Sequence, residues 1–440
     1  MGEGILRWTG ALAARGVGPG DVVAVLSRNR AEVVFLFHAV GQLGAALAPL
    51  NTRLTAVELA PMVERLRPRL LFADKQLAGR LAGVEVLEGF ADGAAPHAGV
   101  TPAEPSRARA ILFTSGTSGT PKAAVLTSAN LLASARASAQ HLGPSPPARW
   151  LACLPLFHIG GLAMLVRAEL EGGSVVLHDG FDPERVNAAI DGGDVSHVSL
   201  VGTTLAALLE ARGPRRFPSS LRVVLVGGGP VSVELLSQAR ELGAPALHTY
   251  GLTEASSQVA TERPAEADGT TCGPPLPGTE VRVTSEGEIE VRGPTVMQGY
   301  LGEAPLGGAW FRTGDLGSLD ERGRLTVLAR RTDLILSGGE NVYPAEIEAV
   351  LSTHPGVTEV AVVGAADARW GQTPWAFLVA RGAIDSAALE RHCRARLAGF
   401  KVPRRFEQVE VLPRNASGKI DRRALESLAH VRLAAPARSG

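Results

Sequence analysis

The residues with the clearest chemical signature run from Phe113 to Lys122 and read FTSGTSGTPK. An apolar run, Ala110–Leu112, precedes them and another, Ala123–Leu126, follows, so the pattern predicts a small-residue loop between two strands. Glycine lets backbone N–H groups approach an anion closely, and the hydroxyls add further donors. The segment therefore predicts a site for the phosphates of a nucleotide.

Two familiar phosphate loops do not fit this chain. The P-loop ends in Gly-Lys-Ser/Thr, whereas Lys122 follows Pro121 and precedes Ala123. The dinucleotide fingerprint, GxGxxG at the start of a helix, is supplied neither by 227–230 nor by 16–20. A flexible Ser/Gly linker is disfavoured because apolar strands flank the loop closely.

Two acidic residues elsewhere could act on the same nucleotide. Glu254 follows Thr253 after a short apolar run, and a carboxylate beside a hydroxyl suits Mg²⁺ held against phosphate oxygens. By itself, Thr253–Glu254 is more often the start of a helix, with Thr253 as its cap. Asp315 lies in a glycine-bounded turn, TGDLG, where it could accept both ribose hydroxyls or simply form the turn.

In this order, and together with 330–344 (RRTDLILSGGENVYP) and 413–420 (PRNASGKI), these segments resemble the motifs of adenylate-forming enzymes. That family contains acyl- and aryl-CoA ligases, luciferases and peptide-synthetase adenylation domains. The resemblance extends from about Leu6 to Leu425. It implies an ATP-dependent reaction that converts a carboxylic acid first to an acyl-adenylate and then to a CoA thioester. ATP, Mg²⁺ and coenzyme A are the cofactors that it implies.

The resemblance also implies roles for residues around the nucleotide. Lys419 takes the position of the catalytic lysine, whose ammonium stabilises charge on the carboxylate and the α-phosphate. Glu254 binds Mg²⁺ and Thr253 contacts phosphate, so both count with Lys419 as catalytic. Asp315 and Arg330 contact the ribose. The remaining residues that it places at the nucleotide are Thr114, Ser115, Gly116, Thr117, Ser118, Gly119, Thr120, Lys122, Gly228, Gly229, Tyr250 and Gly251.

The resemblance also implies which residues form the sites for the acid and for CoA. The segment LPLFHIGGL resembles the acyl pocket, where the ring of His158 gates the approach of the carboxylate and is also counted as catalytic. Trp370 and Phe400 match positions that stack on or line the CoA nucleotide, although either ring could belong to the core of the small domain. The residues assigned to the acid are His158, Arg167, Gly227, Gly251 and Ser257.

Within the family, stretches such as PLFHIGGLAMLVR and TYGLTEASSQVAT resemble the o-succinylbenzoate–CoA ligases of menaquinone biosynthesis. Their substrate carries two carboxylates, of which one is activated and the other needs a cation. Arg167, nine positions after His158, would supply it, because arginine suits planar bidentate pairing; an arginine that extends to the surface is the alternative.

Three other functions stay open. The chain could be another aryl- or acyl-CoA ligase, or a stand-alone adenylation enzyme that loads a carrier protein. It could also be a non-catalytic nucleotide-binding relative, which the presence of Lys419 and Glu254 disfavours.

The elements that must position these residues follow three patterns. Strand-like runs such as Val22–Leu26 and Val223–Val226 alternate with alanine-rich helical stretches, which predicts α/β layers with largely parallel sheets. Between Glu280 and Val291 the pattern has period two and predicts antiparallel strands. The C-terminal pattern predicts a compact α+β unit, with its elements at Pro344–Thr353, Glu359–Val363, Trp375–Val379, Ser386–Leu397 and Gln408–Leu412.

We therefore expect α/β and α+β architecture of the adenylate-forming type. A large N-terminal domain of layered α/β subdomains, 1–329, would hold the ATP and acyl sites, and a small mobile domain, 334–432, would carry Lys419. A hinge at 330–333 would join them, with Thr332 at the position where the family usually has Asp or Lys. Residues 433–440 are expected to form a disordered tail.

The composition is that of an ordinary globular protein. Of 440 residues, 45% are hydrophobic, and 44 Lys+Arg balance 44 Asp+Glu, so nothing favours binding to nucleic acid or to an anionic membrane. The three cysteines form no C-x-x-C pair, which disfavours zinc and disulfides. The N-terminus has no signal-peptide pattern and no apolar run reaches the length of a membrane span. We expect a cytoplasmic protein with a small-molecule carboxylic acid as substrate; whether it forms a homodimer is open.

Overall fold

The computed structural model describes residues 2–97, 104–114, 121–143, 147–229, 231–330, 335–413 and 420–434. Within these ranges the chain forms two compact units. The first comprises residues 2–52, 62–114 and 123–329, and the second comprises residues 53–61, 121–122 and those from 330 onward. The predicted mixture of α/β layers with a separate C-terminal α+β unit is confirmed.

The first sheet begins the first unit. Its strands are β1 (Val22–Leu26), β2 (Ala46–Pro49), β3 (Leu70–Ala73), β4 (Glu85–Val86), β5 (Ala108–Thr114), β6 (Lys122–Thr127) and β15 (Gly299–Tyr300), in the order β15-β6-β5-β2-β1-β3-β4. Its neighbouring helices are α1 (Gly2–Ala14), α2 (Ala31–Gln42), α3 (Ala56–Leu66) and α4 (Ser128–Leu142), with a 3₁₀ turn at Ala78–Arg80. β1 pairs in parallel with β2 and β3 and is almost wholly buried, as its continuous apolar sequence predicts.

The second sheet carries most of the residues discussed below. Its strands are β7 (Arg149–Ala152), β8 (Ser174–Leu177), β9 (His197–Leu200), β10 (Val223–Val226), β11 (Ala246–Leu252) and β12 (Ser257–Thr261), in the order β12-β11-β10-β9-β7-β8. The helices are α5 (Ile159–Leu170), α6 (Pro183–Asp191), α7 (Gly202–Arg212) and α8 (Val233–Glu241), with a 3₁₀ turn at Thr253–Ala255. All pairings are parallel except that of β12, which returns antiparallel along β11.

The third sheet is the antiparallel element that the period-two pattern predicts. Its strands are β13 (Glu280–Val283), β14 (Glu288–Arg292), β16 (Phe311–Leu319) and β17 (Leu325–Arg330), in the order β13-β14-β16-β17. Ile289, Val291 and Leu325 form part of its buried core.

The second unit is built on a mixed sheet. Its strands are β18 (Ile335–Ser337), β19 (Glu340–Val342), β20 (Val357–Asp367), β21 (Gly371–Ala380) and β22 (Arg405–Gln408), and its helices are α9 (Pro344–Ser352), α10 (Ser386–Arg394) and α11 (Arg422–Ala434). The long antiparallel pair of β20 and β21 forms its centre, and β22 adds to β21 in parallel.

Two expectations for this unit were wrong at their boundaries. The predicted strand Gln408–Leu412 is instead β22 at Arg405–Gln408, where the chain pairs with Trp375–Leu378 of β21; Leu412 lies beyond it and packs into a separate buried cluster. The tail predicted from residue 433 begins too early, since α11 continues to Ala434. Buried Leu425 and Ala429 anchor that helix. Residues 435–440 lie outside the described residues.

Candidate functional site

The parallel strands of the second sheet bring three predicted segments to one edge. β10 leads directly into Gly227–Gly229, β11 leads into Thr253 and Glu254, and β7 leads into the loop before His158. The carboxyl ends of parallel strands are where open α/β sheets bind ligands. At Gly228 the backbone φ is 77°, which favours glycine at this strand end.

Glu254 lies on the 3₁₀ turn that follows β11, and it is only 8% exposed. Its carboxylate accepts a hydrogen bond of 2.9 Å from the hydroxyl of Tyr300, and its carbonyl accepts one of 2.7 Å from the backbone N–H of Met297. Burial, followed by the charge of Glu254, raises the pKa of Tyr300, so the phenol remains protonated and donates. Thr253 is half-buried beside it.

The backbone after Glu254 is unusual. Ser256 and Ser257 have φ values of 55° and 111°, a region that non-glycine residues rarely occupy. The hydroxyl of Ser134 on α4 donates to the carbonyl of Ser256 over 2.8 Å. Gly251 is required opposite this turn, because a Cβ there would lie 2.0 Å from the carbonyl oxygen of Ser257. A strained backbone held from two sides is a frequent feature of binding sites.

Asp315 lies on β16 and is 7% exposed. Its Oδ2 accepts a hydrogen bond of 2.7 Å from the hydroxyl of Tyr250, and its N–H donates to the hydroxyl of Thr313 over 3.1 Å. Glu288 on β14 accepts from the N–H of Gly314 over 3.2 Å, which holds the turn before Asp315. The structure therefore brings Tyr250 and Asp315, both predicted at the nucleotide, into direct contact.

The loop before His158 is held by Asn29, which follows β1. The Asn29 amide donates to the carbonyl of Leu154 over 2.8 Å and its oxygen accepts from the N–H of Leu156 over 2.8 Å. His158 is half-buried and precedes α5 with extended backbone, and its ring is tilted by 58° against that of Phe157 with the centroids 4.7 Å apart.

Arg167 lies on α5 and is 2% exposed. Its Nη2 donates to the hydroxyl of Ser257 over 3.0 Å, and its guanidinium lies 5.5 Å from the ring centroid of Trp150. Its Nε has no hydrogen-bond partner among the residues that the structure describes. Burial lowers the pKa of Arg167 to about 10, so it is charged at neutral pH. The alternative, that this arginine extends to the surface, is wrong.

Arg167 and His158 do not lie side by side. Nine residues correspond to about two and a half helical turns, so the two positions are roughly 13 Å apart along α5 and on opposite sides of it. Arg167 instead joins the site through Ser257, which is paired with Leu252 of β11 in the sheet register.

The flanks of the FTSGTSGTPK loop are the predicted strands, β5 ending at Thr114 and β6 beginning at Lys122. The Thr114 side chain interacts with the phenol of Tyr300, and Tyr300 pairs with Ala124 of β6. The predicted residues Ser115, Gly116, Thr117, Ser118, Gly119 and Thr120 lie outside the described residues.

The other predicted residues belong to the second unit. Trp370 is half-buried, and its carbonyl accepts from the N–H of Gly338 over 2.9 Å. Phe400 packs against the core of that unit. Arg330 ends β17, and its side chain is outside what the structure describes, as are Thr332 and Lys419. The predictions for all five stay predictions.

The surroundings of Glu254 suit a magnesium ion that binds together with a nucleotide. Mg²⁺ keeps several waters and is bound through one or two carboxylates together with substrate phosphates. Within the described ranges, no group of three or more His, Cys, Asp or Glu could hold a metal by itself. A buried single carboxylate beside the Thr253 hydroxyl fits a cation that arrives with a nucleotide.

Family models match most of the chain on either side of 302–345. The AMP-binding enzyme model matches residues 3–301, and the AMP-binding enzyme C-terminal domain model matches residues 346–419. The chain belongs to the AMP-binding enzyme family. Among the described residues of this family member, no helix is long and apolar enough to cross a bilayer.

Relatives and solved structures agree with this membership. The 2-succinylbenzoate–CoA ligase of Geobacillus kaustophilus is 43% identical over 97% of this chain and 91% of its own length. A double mutant of o-succinylbenzoate CoA synthetase from Bacillus subtilis, bound with the product analogue OSB-NCoA, matches with a TM-score of 0.90 and 38% identity over 96% of this chain and 92% of that one. The same synthetase in complex with ATP and magnesium ion matches with a TM-score of 0.70 and 37% identity over 97% and 93%.

Sequence reasoning did not find Tyr300, Asn29 or Ser134, although they hold this family member's site together. Tyr300 is 46 positions from Glu254, and Asn29 is 125 positions from Leu154. No local spacing could signal these contacts, because each forms only when separate strands and helices pack.

Proposed function

We propose that this protein is an ATP-dependent acid–thiol ligase that converts 2-succinylbenzoate to its CoA thioester through an acyl-adenylate. The two ligases described above act on this acid, and one of them binds ATP and magnesium ion. The observation that supports the acid's identity in this chain is Arg167, a buried cation with an unpaired Nε among the described residues. A substrate with a second carboxylate gives such a cation a partner.

In the first half-reaction, a carboxylate oxygen of the acid attacks the α-phosphorus of ATP, and the bond to pyrophosphate breaks. Asp315, oriented by Tyr250, would accept the ribose hydroxyls, with Arg330 as a second ribose contact. Glu254 would hold Mg²⁺, which neutralises phosphate charge when bound. We assign to Lys419 the stabilisation of the charge that develops between the carboxylate and the α-phosphate.

In the second half-reaction, the thiol sulfur of CoA attacks the acyl carbon, AMP leaves and the thiol proton is released. Trp370 and Phe400 are proposed to line the CoA nucleotide, and Thr332 to lie at the hinge between the domains at 1–329 and 334–432. His158, Gly227, Gly251 and Ser257 are proposed to surround the acid together with Arg167. Thr114–Lys122, Gly228 and Gly229 complete the proposed nucleotide site.

The test compares acids and acceptors. Pyrophosphate release should be fastest with o-succinylbenzoate among a set that includes benzoate, anthranilate and a medium-chain fatty acid, and the thioester should form on free CoA. Robust turnover of a monocarboxylate with none of o-succinylbenzoate would refute the assignment of the acid. Transfer to a carrier protein but not to CoA would refute the assignment of the acceptor.

Lys419→Ala tests the division between the half-reactions. Adenylation should fall by about 10²-fold or more, the usual consequence of losing one transition-state charge contact, while thioester formation from supplied acyl-adenylate continues. An equal loss in both half-reactions would contradict the role given to Lys419.

A further inference from the structure

Tyr300 is a residue of the site to which the proposed function gives no role. Its hydroxyl donates to the carboxylate of Glu254 over 2.9 Å, and its phenol also interacts with the side chain of Thr114. Thr114 is the last residue of β5, and Tyr300 pairs with Ala124 at the start of β6. Tyr300 therefore contacts Glu254 and both described flanks of the FTSGTSGTPK loop, β6 through its strand pairing and β5 through its phenol.

The backbone around Tyr300 holds it in this place. The N–H of Met297 donates to the carbonyl of Glu254 over 2.7 Å. The N–H groups of Gln298 and Leu301 donate to the β6 carbonyls of Val125 and Ala123 over 3.0 Å and 2.8 Å. The segment 297–301 is thus hydrogen-bonded to the Glu254 turn at one end and to β6 along its length, so Tyr300 has little freedom to move away from the carboxylate.

The position of Glu254 needs such support. It lies on a turn of three residues, followed by two serines with positive φ, and a turn this short does not hold a side chain in one rotamer by itself. Carboxylates that bind metals are usually held by a second hydrogen bond, and loss of that partner costs about 10- to 100-fold in metal affinity or activity.

We propose that Tyr300 is a positioning residue that orients the Glu254 carboxylate toward a divalent cation and ties it to both flanks of the phosphate loop. This inference rests on the proposed function, since it presumes that a nucleotide and its cation bind here. Tyr300 acts through Glu254 and does not itself contact the reacting atoms.

The experiment measures ATP binding to the full chain by calorimetry, once with excess Mg²⁺ and once with EDTA. Tyr300→Phe keeps the ring and removes the hydroxyl. We expect this variant to lose about tenfold or more of the affinity that Mg²⁺ adds, while its affinity in EDTA stays at the wild-type value. In a Glu254→Gln background, Tyr300→Phe should have no further effect, because its route to the cation is gone.

Tyr250→Phe is the matched control, since it also removes a hydroxyl bonded to a carboxylate, that of Asp315. It should weaken ATP binding equally with Mg²⁺ and with EDTA. The inference is overturned if Tyr300→Phe behaves like Tyr250→Phe, keeps the wild-type response to Mg²⁺, or adds to Glu254→Gln. If the wild-type protein binds no ATP under either condition, the proposed function fails instead.

Discussion

Replacing Arg167 with methionine removes one buried positive charge while keeping most of the side-chain volume. The guanidinium is 2% exposed, donates to Ser257 over 3.0 Å and lies 5.5 Å from the ring of Trp150. Its pKa of about 10 leaves it charged at neutral pH. Under the proposed function, this charge meets the ring carboxylate of 2-succinylbenzoate, which is not the carboxylate that is activated.

The size of the effect follows from burial and charge. Hydrogen bonds to charged groups contribute about 1.5–3 kcal/mol net, and each 1.4 kcal/mol is a factor of about ten. Loss of the cation should therefore lower kcat/KM for 2-succinylbenzoate by about 10- to 150-fold. The loss should appear only for an acid that carries the second carboxylate.

The assay uses two acids and two proteins. The second acid is 4-oxo-4-phenylbutanoate, which has the same activated carboxylate but no carboxylate on the ring. Measured by pyrophosphate release, the kcat/KM values of Arg167→Met for the two acids should be close to equal. The value for the analogue should stay within about twofold of that of the wild type, which is the usual error of additivity.

Arg212→Met is the matched control. That guanidinium is also fully buried, but it donates to Asn187 and Asp191 over 2.7 and 2.6 Å, so its partners are already within the protein. Arg212→Met should lower the free energy of unfolding and change kcat/KM for the two acids by the same factor. If Arg167→Met lowers kcat/KM for both acids by the same factor, then Arg167 only supports Ser257. The proposal that Arg167 pairs with the second carboxylate is then refuted.

Three further predictions concern the nucleotide, the pH and the backbone. Asp315→Asn and Tyr250→Phe should each raise KM for ATP about tenfold, because each weakens a hydrogen bond involving a charged group, and the penalty of Asp315→Asn should shrink with 2′-deoxy-ATP, which has one hydroxyl fewer. Burial, then Arg222 and Arg167, lower the pKa of His197 to about 4 from 6.5. Below pH 6.5, His197 is therefore protonated in the unfolded chain but stays neutral in the folded chain. The free energy of unfolding should fall by up to about 3 kcal/mol between pH 6.5 and 4. Gly251→Ala should lower the free energy of unfolding by about 1–3 kcal/mol and weaken ATP binding, because the added Cβ meets a carbonyl oxygen at 2.0 Å.

Each of these has a decisive comparison. An Asp315→Asn penalty of the same size with ATP and 2′-deoxy-ATP would contradict the ribose contact. Urea unfolding of His197→Gln should show a smaller loss of stability than the wild type over this pH range, and an identical loss would assign the pH dependence to other groups. A Cβ added at Gly180 would meet no described atom within 4 Å, and the φ of Gly180 is not positive, so Gly180→Ala should be neutral where Gly251→Ala is not.

The sequence was sufficient for the motifs and for most elements. The strands that flank Phe113–Lys122 and the antiparallel pair between 280 and 292 form as their apolar patterns predict. Such patterns are local, because burial of one face imposes a period that can be counted along the chain. The strand expected at Gln408–Leu412 was misplaced, since an edge strand is selected by its partner β21 and its own short pattern is ambiguous.

Contacts between motifs could not be predicted in this way. The hydroxyl of Tyr250 meets Asp315 across 65 positions, and that of Tyr300 meets Glu254 across 46. The first pair joins two different sheets, and the second joins a strand of the first sheet to the turn that follows β11, so the order of the strands and the packing of the layers decide both contacts. The burial of Arg167 is of the same kind, since its helix pattern is compatible with an exposed or a buried arginine.

The sequence by itself therefore determined which chemistry this protein carries: a small-residue loop, Glu254, Asp315 and the C-terminal lysine motif in a fixed order. These features can be recognised from residue types and their spacing along the chain, which do not depend on packing. Only the tertiary structure decided that the hydroxyl of Tyr300 donates to Glu254 and that the hydroxyl of Tyr250 donates to Asp315. It also decided that Arg167 is a buried cation that donates to Ser257. Hydrogen bonds and burial depend on distances between elements far apart in the chain, and these exist only once the sheets have assembled.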